Sequence, residues 1–150
     1  LYFNQLKRPV ERADVFRYLV VHRFGGWYAD IDTAAHRPLS ELNGDLIVAT
    51  EFDLPDANYQ VLQYCFGATP RHPLFTDTLM PMIEERVRSN DQMRLENPDL
   101  WVLHCTGPYA FTTAVKQLGV KPLDAGTFGG YRYHSDDQYV SHLFKGSWKL

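Results

Sequence analysis

The amino-acid sequence predicts an α/β sandwich with a mixed sheet. Apolar residues recur at helical spacing over 9–24, whereas 45–50 is a continuous apolar run typical of a buried strand. Segments of these two kinds alternate along the chain, as they do in α/β folds. A chain of 150 residues with 45% hydrophobic residues can bury one sizeable core, so we expect a single domain.

Charge and hydropathy exclude two classes of partner. The chain has 15 basic and 18 acidic residues and a formal charge of −3, which offers no electrostatic footprint for nucleic acid. Its longest apolar runs are far below the roughly 20 residues that span a bilayer. We therefore expect no nucleic-acid partner and no membrane contact from this segment, although an anchor could lie outside it. Cys65 and Cys105 lie in apolar contexts without CxxC spacing, which favours buried thiols over a disulfide or a metal pair.

The first helix is predicted to begin near Pro9 and to run to about Phe24. Proline is tolerated in the first turn of a helix. At about 100° per residue, one face of this helix collects its apolar side chains. These are Val10, Ala13, Phe16, Val20, Val21 and Phe24. Arg17 falls within this stripe and Asp14 at its edge. Because an unpaired buried charge costs several kcal/mol, the two residues either pair with each other at i, i+3 or serve a ligand site.

A glycine stop and a short strand follow the helix. Gly25 and Gly26 end the helix, and the glycine pair also allows a ligand to approach the backbone closely. The strand then delivers Asp30 and Asp32 to its carboxyl end. Since side chains alternate along a strand, both aspartates are expected to point the same way, with Ile31 on the opposite side. Two converging carboxylates predict a site for a divalent cation.

The later elements are predicted with less specific signals. In order they are a strand over 45–50, an acidic loop over 51–58, a strand over 60–66, a helix over 72–87 bent at Pro81, a polar connection over 89–98, a strand or extended segment over 100–105, and a helix capped by Thr106, begun at Pro108 and closed by Gly119. The residues from Val120 onward are rich in glycine, tyrosine, histidine and aspartate, which is more typical of binding loops than of core.

An Asp-x-Asp triplet alone is weak evidence of function. Here it follows Asp14, Arg17 and the segment Gly25-Gly26-Trp27-Tyr28, and in this context it resembles glycosyltransferase family 32. This is the DXD sugar-transferase family that includes initiation-specific α-1,6-mannosyltransferases, and the catalytic domain of the large clostridial glucosylating toxins is a more distant likeness. The resemblance runs from about Glu11 to Trp148. Weaker matches are Thr106-Gly107-Pro108 and the ending His142…Gly146-Ser147-Trp148.

The resemblance implies a GT-A type, Rossmann-like fold and a retaining transfer of a hexose. The implied donor is a nucleotide sugar, UDP- or GDP-hexose, the acceptor is a glycan or another hydroxyl, and the cofactor is Mn²⁺ or Mg²⁺. The implied catalytic residues are Asp14, Arg17, Asp30 and Asp32. The implied donor-binding residues are Asp14, Arg17, Gly26, Tyr28, Asp30, Ser147 and Trp148. The implied metal ligands are Asp30, Asp32 and His142, although His142 could instead cap a backbone carbonyl, and the helix start at Thr106 either faces the site or serves the helix alone.

One family feature is missing. Family members normally begin with a strand that helps to bind the nucleotide base, and no comparable segment precedes Lys7. Either the base is bound differently, or, as we favour, the chain is an N-terminally truncated catalytic domain that lacks its first strand. Its compartment would be the Golgi lumen in a eukaryotic type II membrane protein, and the cytoplasm in a bacterial or viral protein.

Two alternative functions remain open. The first is a nucleotide-sugar-binding domain that has lost turnover. The second, less favoured, is a haloacid-dehalogenase-like phosphatase with Asp30 as nucleophile, which expects threonine or valine where this chain has Ala34. No residue is identified as a nucleophile for retaining transfer, so the mechanism stays open, and front-face attack is the hypothesis that requires none. The acidic segment beginning at Glu51 is interpreted as a solvated surface or as part of the acceptor side.

Overall fold

The computed structural model describes residues 2–54, 58–89, 91–129 and 136–143, and the predicted α/β class is confirmed. The helices are α1 (Pro9–Phe24), α2 (Met80–Ser89), α3 (Asp91–Glu96), α4 (Pro98–Cys105) and α5 (Pro108–Gln117), with 3₁₀ turns at Tyr2–Gln5 and Leu39–Glu41 and a π-helical segment at Leu74–Leu79. The strands are β1 (Gly26–Ala29), β2 (Thr33–Ala35), β3 (Leu46–Ile47), β4 (Thr50–Leu54), β5 (Asn58–Val61), β6 (Cys65–Ala68) and β7 (Val140–His142).

The strands form three small sheets. A three-stranded sheet has the order β1-β6-β3, while β2 pairs with β7 and β4 pairs with β5. All of these pairs are antiparallel, and parallel pairing in the described part of the chain is limited to an isolated bridge between Ala49 and Leu123. Helix α1 packs against β1 and β6, and α5 packs against β5. The carboxyl end of β1 therefore lies where α1 and the sheet meet.

Aromatic rings fill the larger of two hydrophobic clusters. The ring of Tyr18 stacks on Phe111 at 5.5 Å, and Phe66 lies 4.9 Å from Phe111, measured between ring centroids. The smaller cluster contains Tyr64, Cys65, Phe128 and Val140 among others. Cys65 and Cys105 are buried free thiols, as predicted.

Helix α1 has the predicted bounds, but the predicted buried face is wrong. Phe16 is 61% exposed and Phe24 is 72% exposed. Ala13 is also exposed, whereas Val10 and Val20 are partly buried and Val21 is buried. The buried residues are Glu11, Asp14, Val15, Arg17, Tyr18 and Val21. This set also has helical spacing, and its three charged members are buried because each finds a partner inside the fold.

Three predictions over 45–66 need correction. The acidic loop predicted over 51–58 is part of the β4–β5 hairpin. Across this pair the Gln60 amide Nε2 donates to Glu51 Oε2 at 2.6 Å and satisfies the charged side chain. The single strand predicted over 60–66 is divided into β5 and β6. The predicted strand over 45–50 is divided in the same way into β3 and β4, and Ala49 at that break forms the parallel bridge to Leu123.

The region after residue 89 is helical rather than extended. Helix α3 occupies most of the predicted polar connection, and α4 occupies the segment predicted as a strand. Asn97 caps α4, since its Oδ1 accepts from the Leu100 N–H at 3.0 Å, and Pro98 occupies the first turn. A short apolar run has no period that distinguishes a buried helix from a strand, so the cap decides.

The predicted helices over 72–87 and from Pro108 are confirmed with changed ends. The first begins as the π-helical segment, in which the Met80 N–H donates to the Phe75 carbonyl, just before Pro81. The second is capped by Gly107 and not by Thr106. It ends at Gln117, and Gly119, the predicted closing glycine, follows with a positive φ of 68°. Among the described helices, none has the length and apolar character needed to cross a membrane.

A buried carboxylate attaches α1 to the helical side of the fold. Glu11 is fully buried, and its Oε1 accepts from the Trp101 indole Nε1 at 2.6 Å and lies 3.1 Å from Arg94 Nη2. Its Oε2 accepts from the Arg8 backbone N–H at 2.7 Å. These contacts join the start of α1 to α3 and α4.

We expect Glu11→Ala to lower the free energy of unfolding by about 3–5 kcal/mol, because it leaves the Arg94 charge without its carboxylate and the Trp101 N–H buried without an acceptor. Urea denaturation of both proteins measures the difference. Glu84→Ala is the matched control: it removes an exposed carboxylate from the Glu84–Arg88 pair on α2 and should cost less than about 1 kcal/mol. Equal losses in the two variants would contradict this role for Glu11.

Candidate active site

The predicted aspartates lie at the carboxyl end of β1, but only Asp30 directly follows the strand. The Asp30 N–H donates to the Tyr64 carbonyl at 2.8 Å, and the Asp30 carbonyl accepts from the Thr33 N–H at 3.0 Å. This second bond closes a turn that contains Ile31 and Asp32, so the prediction that Asp32 lies on the strand is wrong. Ile31 is fully exposed, pointing away from the site as predicted.

His142 joins the two aspartates from the far end of the described chain. It lies on β7 directly opposite Thr33 on β2, and the Leu143 N–H donates to the Asp32 carbonyl at 3.0 Å. The imidazole Nε2 lies 3.1 Å from Asp32 Oδ1 and 3.8 Å from Asp30 Oδ2. Ligand atoms of the three residues all lie within 4.8 Å of one another, which is the convergence that the sequence predicts.

Tyr64 holds both parts of this cluster. Its ring stacks on the imidazole of His142, with the centroids 4.4 Å apart and the planes inclined by 24°. Its hydroxyl donates to the carbonyls of Phe128, at 2.7 Å, or Gly129, at 3.1 Å. Its own carbonyl accepts from Asp30, so a single residue positions the imidazole and one carboxylate.

The donor atoms fit a divalent cation of the Mn²⁺ or Mg²⁺ type. Two carboxylates and an imidazole supply oxygen and nitrogen ligands, which suit Mn²⁺ in particular. Thr33 Oγ1 is buried opposite His142 and has no hydrogen-bond partner among the described residues. This hydroxyl is therefore an unsatisfied polar atom next to the cluster.

A buried arginine connects this cluster to α1. Arg17 Nη1 lies 3.0 Å from Asp30 Oδ1, and Arg17 Nη2 lies 3.1 Å from Asp14 Oδ1. The Tyr28 hydroxyl donates to the same Asp30 oxygen at 2.5 Å, and the guanidinium lies 4.6 Å from the centroid of the Tyr28 ring. The predicted Asp14–Arg17 pair is therefore present, and it extends to the first aspartate of the motif.

The pKa values of the Asp14 and Asp30 carboxyls are shifted in opposite directions. Burial raises the pKa of Asp14 to about 6, although the charge of Arg17 and the hydrogen bond from Thr106 act to lower it. Burial also acts to raise the pKa of Asp30, but hydrogen bonding to His142 and the charge of Arg17 outweigh it and hold that pKa below its usual value. Asp30 is consequently the more readily ionised group of the pair.

Sequence reasoning missed the residues behind Asp14. The Thr106 hydroxyl donates to Asp14 Oδ2 at 2.8 Å instead of capping α5. The Thr106 carbonyl accepts from the Tyr18 hydroxyl at 2.7 Å and from Gln63 Nε2 at 3.1 Å. A signal for this network was available in Gln63, a polar residue inside an apolar run.

Other predicted residues have mixed outcomes. Gly26 has a positive φ of 84°, and a Cβ built there would meet no atom within 4 Å, so its backbone is open to a ligand. Glu51 is half-buried and hydrogen-bonded to Gln60, and burial raises its pKa, which does not fit the solvated surface interpretation. Ser147 and Trp148 lie outside the described residues.

Comparison with known proteins gives a family match to the part of the chain that contains Asp30 and Asp32. Residues 2–53 match the family described as "Glycosyltransferase sugar-binding region containing DXD motif". The initiation-specific alpha-1,6-mannosyltransferase of Schizosaccharomyces pombe is 30% identical over 196 residues, covering 98% of this chain and 49% of that protein. The mannosyl phosphorylinositol ceramide synthase SUR1 of Saccharomyces cerevisiae is 34% identical over 77 residues, covering 51% of this chain and 19% of that protein.

The fold has a counterpart among solved structures. The PaToxG glycosyltransferase superposes with a TM-score of 0.55 at 21% identity, covering 78% of this chain and 44% of that one. The chain thus spans about half the length of the fission-yeast relative and less of the other two proteins. The family resemblance predicted from the sequence is confirmed: residues 2–53, which include the Asp30-Ile31-Asp32 motif, match the glycosyltransferase sugar-binding region, the chain has mannosyltransferase relatives, and its α/β fold is that of the PaToxG glycosyltransferase domain.

Proposed function

We propose that this chain is part of the catalytic domain of a retaining, Mn²⁺-dependent glycosyltransferase. Its donor is a nucleotide-diphosphate hexose, and its acceptor is a hydroxyl of a glycan or of another molecule. The observation that carries this proposal is the convergence of Asp30, Asp32 and His142 beside the buried Arg17. The two yeast relatives, named as a mannosyltransferase and a mannosyl phosphorylinositol ceramide synthase, favour mannose as the hexose.

The proposed reaction breaks the bond between the sugar and the nucleoside diphosphate, which leaves negative charge on the diphosphate. A divalent cation held by Asp30, Asp32 and His142 would stabilise that charge when bound. Arg17 provides a second positive group, and its attachment to Asp14 and Asp30 keeps it oriented without a conformational search. Gly26 and Tyr28, two residues apart on β1, flank the space proposed for the donor.

A front-face mechanism is consistent with the positions of the carboxylates in the site. In this mechanism the acceptor hydroxyl attacks from the side of the leaving phosphate, the phosphate takes its proton, and no enzyme nucleophile is required. Asp30 and Arg17 are within ion-pair distance, and Asp14 is nearly inaccessible to a substrate at 3% exposure. We therefore propose that these groups orient and stabilise the donor without forming a covalent bond to it.

Slow hydrolysis of nucleotide sugars tests the proposal. With Mn²⁺ and a panel of UDP- and GDP-hexoses, we expect one donor to release nucleoside diphosphate and to raise the melting temperature. Asp32→Ala should reduce the release by roughly 100-fold or more, because it removes a charged oxygen ligand. Asp45→Asn is the matched control, since Asp45 is exposed and precedes β3 at the opposite end of the sheet.

Other results of the same assay would contradict the proposal. Release of inorganic phosphate from a simple phosphomonoester, without nucleoside diphosphate release, would indicate a phosphatase. Metal-dependent donor binding without turnover would indicate a binding domain.

A metal titration tests His142 separately from activity. We expect His142→Ala to weaken Mn²⁺ binding by roughly tenfold or more, since even the loss of a group that supports a metal ligand typically costs 10–100-fold in affinity. Calorimetry or the electron paramagnetic resonance signal of free Mn²⁺ measures this. His104→Ala, at an exposed histidine on α4, should bind Mn²⁺ as the wild type does. An unchanged affinity in His142→Ala would show that the imidazole is not a metal ligand.

Glu51 distinguishes front-face attack from a covalent mechanism. The half-buried Glu51 carboxyl can ionise, and its Oε2 accepts a hydrogen bond from the Gln60 amide. Front-face attack predicts that Glu51→Gln keeps donor hydrolysis within about threefold of wild type, because no transition-state contact is lost. Measured kcat for donor hydrolysis decides the question, and a loss comparable to that of Asp32→Ala would contradict the front-face mechanism.

A further inference from the structure

We infer that Thr106 is a positioning residue of the donor site: its hydroxyl holds the Asp14 carboxylate against Arg17, and Arg17 in turn holds Asp30. The role of Asp30 in donor binding rests on the proposed function, whereas the chain of contacts from Thr106 to Asp30 is a property of the fold. Thr106 thus has a role in addition to the helix start that Thr106-Gly107-Pro108 indicates.

Thr106 is held from several directions. It is fully buried at the junction of α4 and α5. Its N–H donates to the Val102 carbonyl at 3.1 Å, and its carbonyl accepts from Tyr18 and Gln63. With the backbone restrained on both sides, the hydroxyl oxygen has a defined position next to Asp14. The residue therefore acts as a rigid donor rather than as a mobile polar group.

Each oxygen of Asp14 has a separate partner. Oδ1 pairs with Arg17 Nη2 at 3.1 Å, and Oδ2 accepts from the Thr106 hydroxyl at 2.8 Å. Arg17 Nη1 then reaches Asp30 Oδ1 at 3.0 Å and the Gln63 carbonyl at 3.4 Å. Removing the threonine hydroxyl leaves Asp14 Oδ2 buried without that donor, so the carboxylate is free to turn or to take a proton.

The charge of Asp14 is sensitive to that hydrogen bond. Burial raises the pKa of Asp14 to about 6, and the Arg17 charge and the Thr106 hydrogen bond oppose the rise. The other titratable groups that act on or respond to Asp14 are Asp30, Tyr18, Tyr28 and Cys105. A bond to the ionised form lowers an acid's pKa, so its loss must raise it. Neutral Asp14 would then pair with Arg17 more weakly near neutral pH.

Carboxyl-detected nuclear magnetic resonance of protein labelled with ¹³C-aspartate tests the inference directly. We expect the Asp14 resonance to titrate near pH 6 in the wild type and about one pH unit higher in Thr106→Val, since hydrogen bonds to charged groups amount to about one pKa unit or more. Thr106→Ser restores the hydroxyl and should restore the wild-type midpoint. Should Thr106→Val not fold, Thr106→Ala removes the same donor.

Thr112→Val is the matched control. The buried Thr112 hydroxyl on α5 accepts from the Val61 N–H at 2.9 Å, so its loss also removes a buried hydrogen bond but one that does not involve Asp14. We expect this variant to lose stability without moving the Asp14 midpoint. A midpoint unchanged in Thr106→Val, or moved equally by Thr112→Val, would overturn the inference.

A second measurement separates this inference from the proposed function. With the donor that the wild type hydrolyses, the acid limb of the pH profile should move upward in Thr106→Val and return in Thr106→Ser. If the wild type hydrolyses no donor, the proposed function fails while the resonance titration still tests Thr106. If Asp32→Ala abolishes hydrolysis but Thr106→Val moves neither the resonance nor the pH profile, only the positioning role is refuted.

Discussion

The buried charge of Arg17 is the constraint on which the site depends. A guanidinium in this position is tolerated only with close anionic partners, and Asp14 and Asp30 supply them on two sides. Asp30 can reach Arg17 only because α1 ends at Gly25 and β1 begins at the next residue. The short connection brings the end of β1 back beside the helix. Arg17 thereby couples the orientation of α1 to the placement of the motif.

The same constraint accounts for the unusual burial of α1. Three of its charged side chains face inward, where Arg17 meets the aspartates and Glu11 meets Trp101 and Arg94. Phe16 and Phe24 are left exposed as a consequence. If α1 buried Phe16 and Phe24 instead, its three inward-facing charged side chains would lie in water, and Arg17 would be separated from Asp30. The geometry of the site has been favoured over the burial of two aromatic rings.

The cluster combines neighbours in sequence with residues far along the chain. The carboxylates come from one turn, and the imidazole comes from β7, which is joined to that turn by the β2–β7 pair. Tyr64 supports both through its carbonyl and its ring. Such a site assembles only when the fold is complete, because none of these elements can hold the three ligand atoms together by itself.

Sequence alone determined what is local. The bounds of α1, the stop at Gly25, the pair at Asp14 and Arg17, and the Asp30-Ile31-Asp32 motif follow from spacing between near neighbours. The tertiary structure decided which face of α1 is buried, that Asp32 lies in a turn, and that 100–105 is a helix. It also decided that Thr106, 92 residues after Asp14, supports that carboxylate. The physical reason is that burial and hydrogen-bond partners depend on contacts between distant residues, which local spacing does not encode.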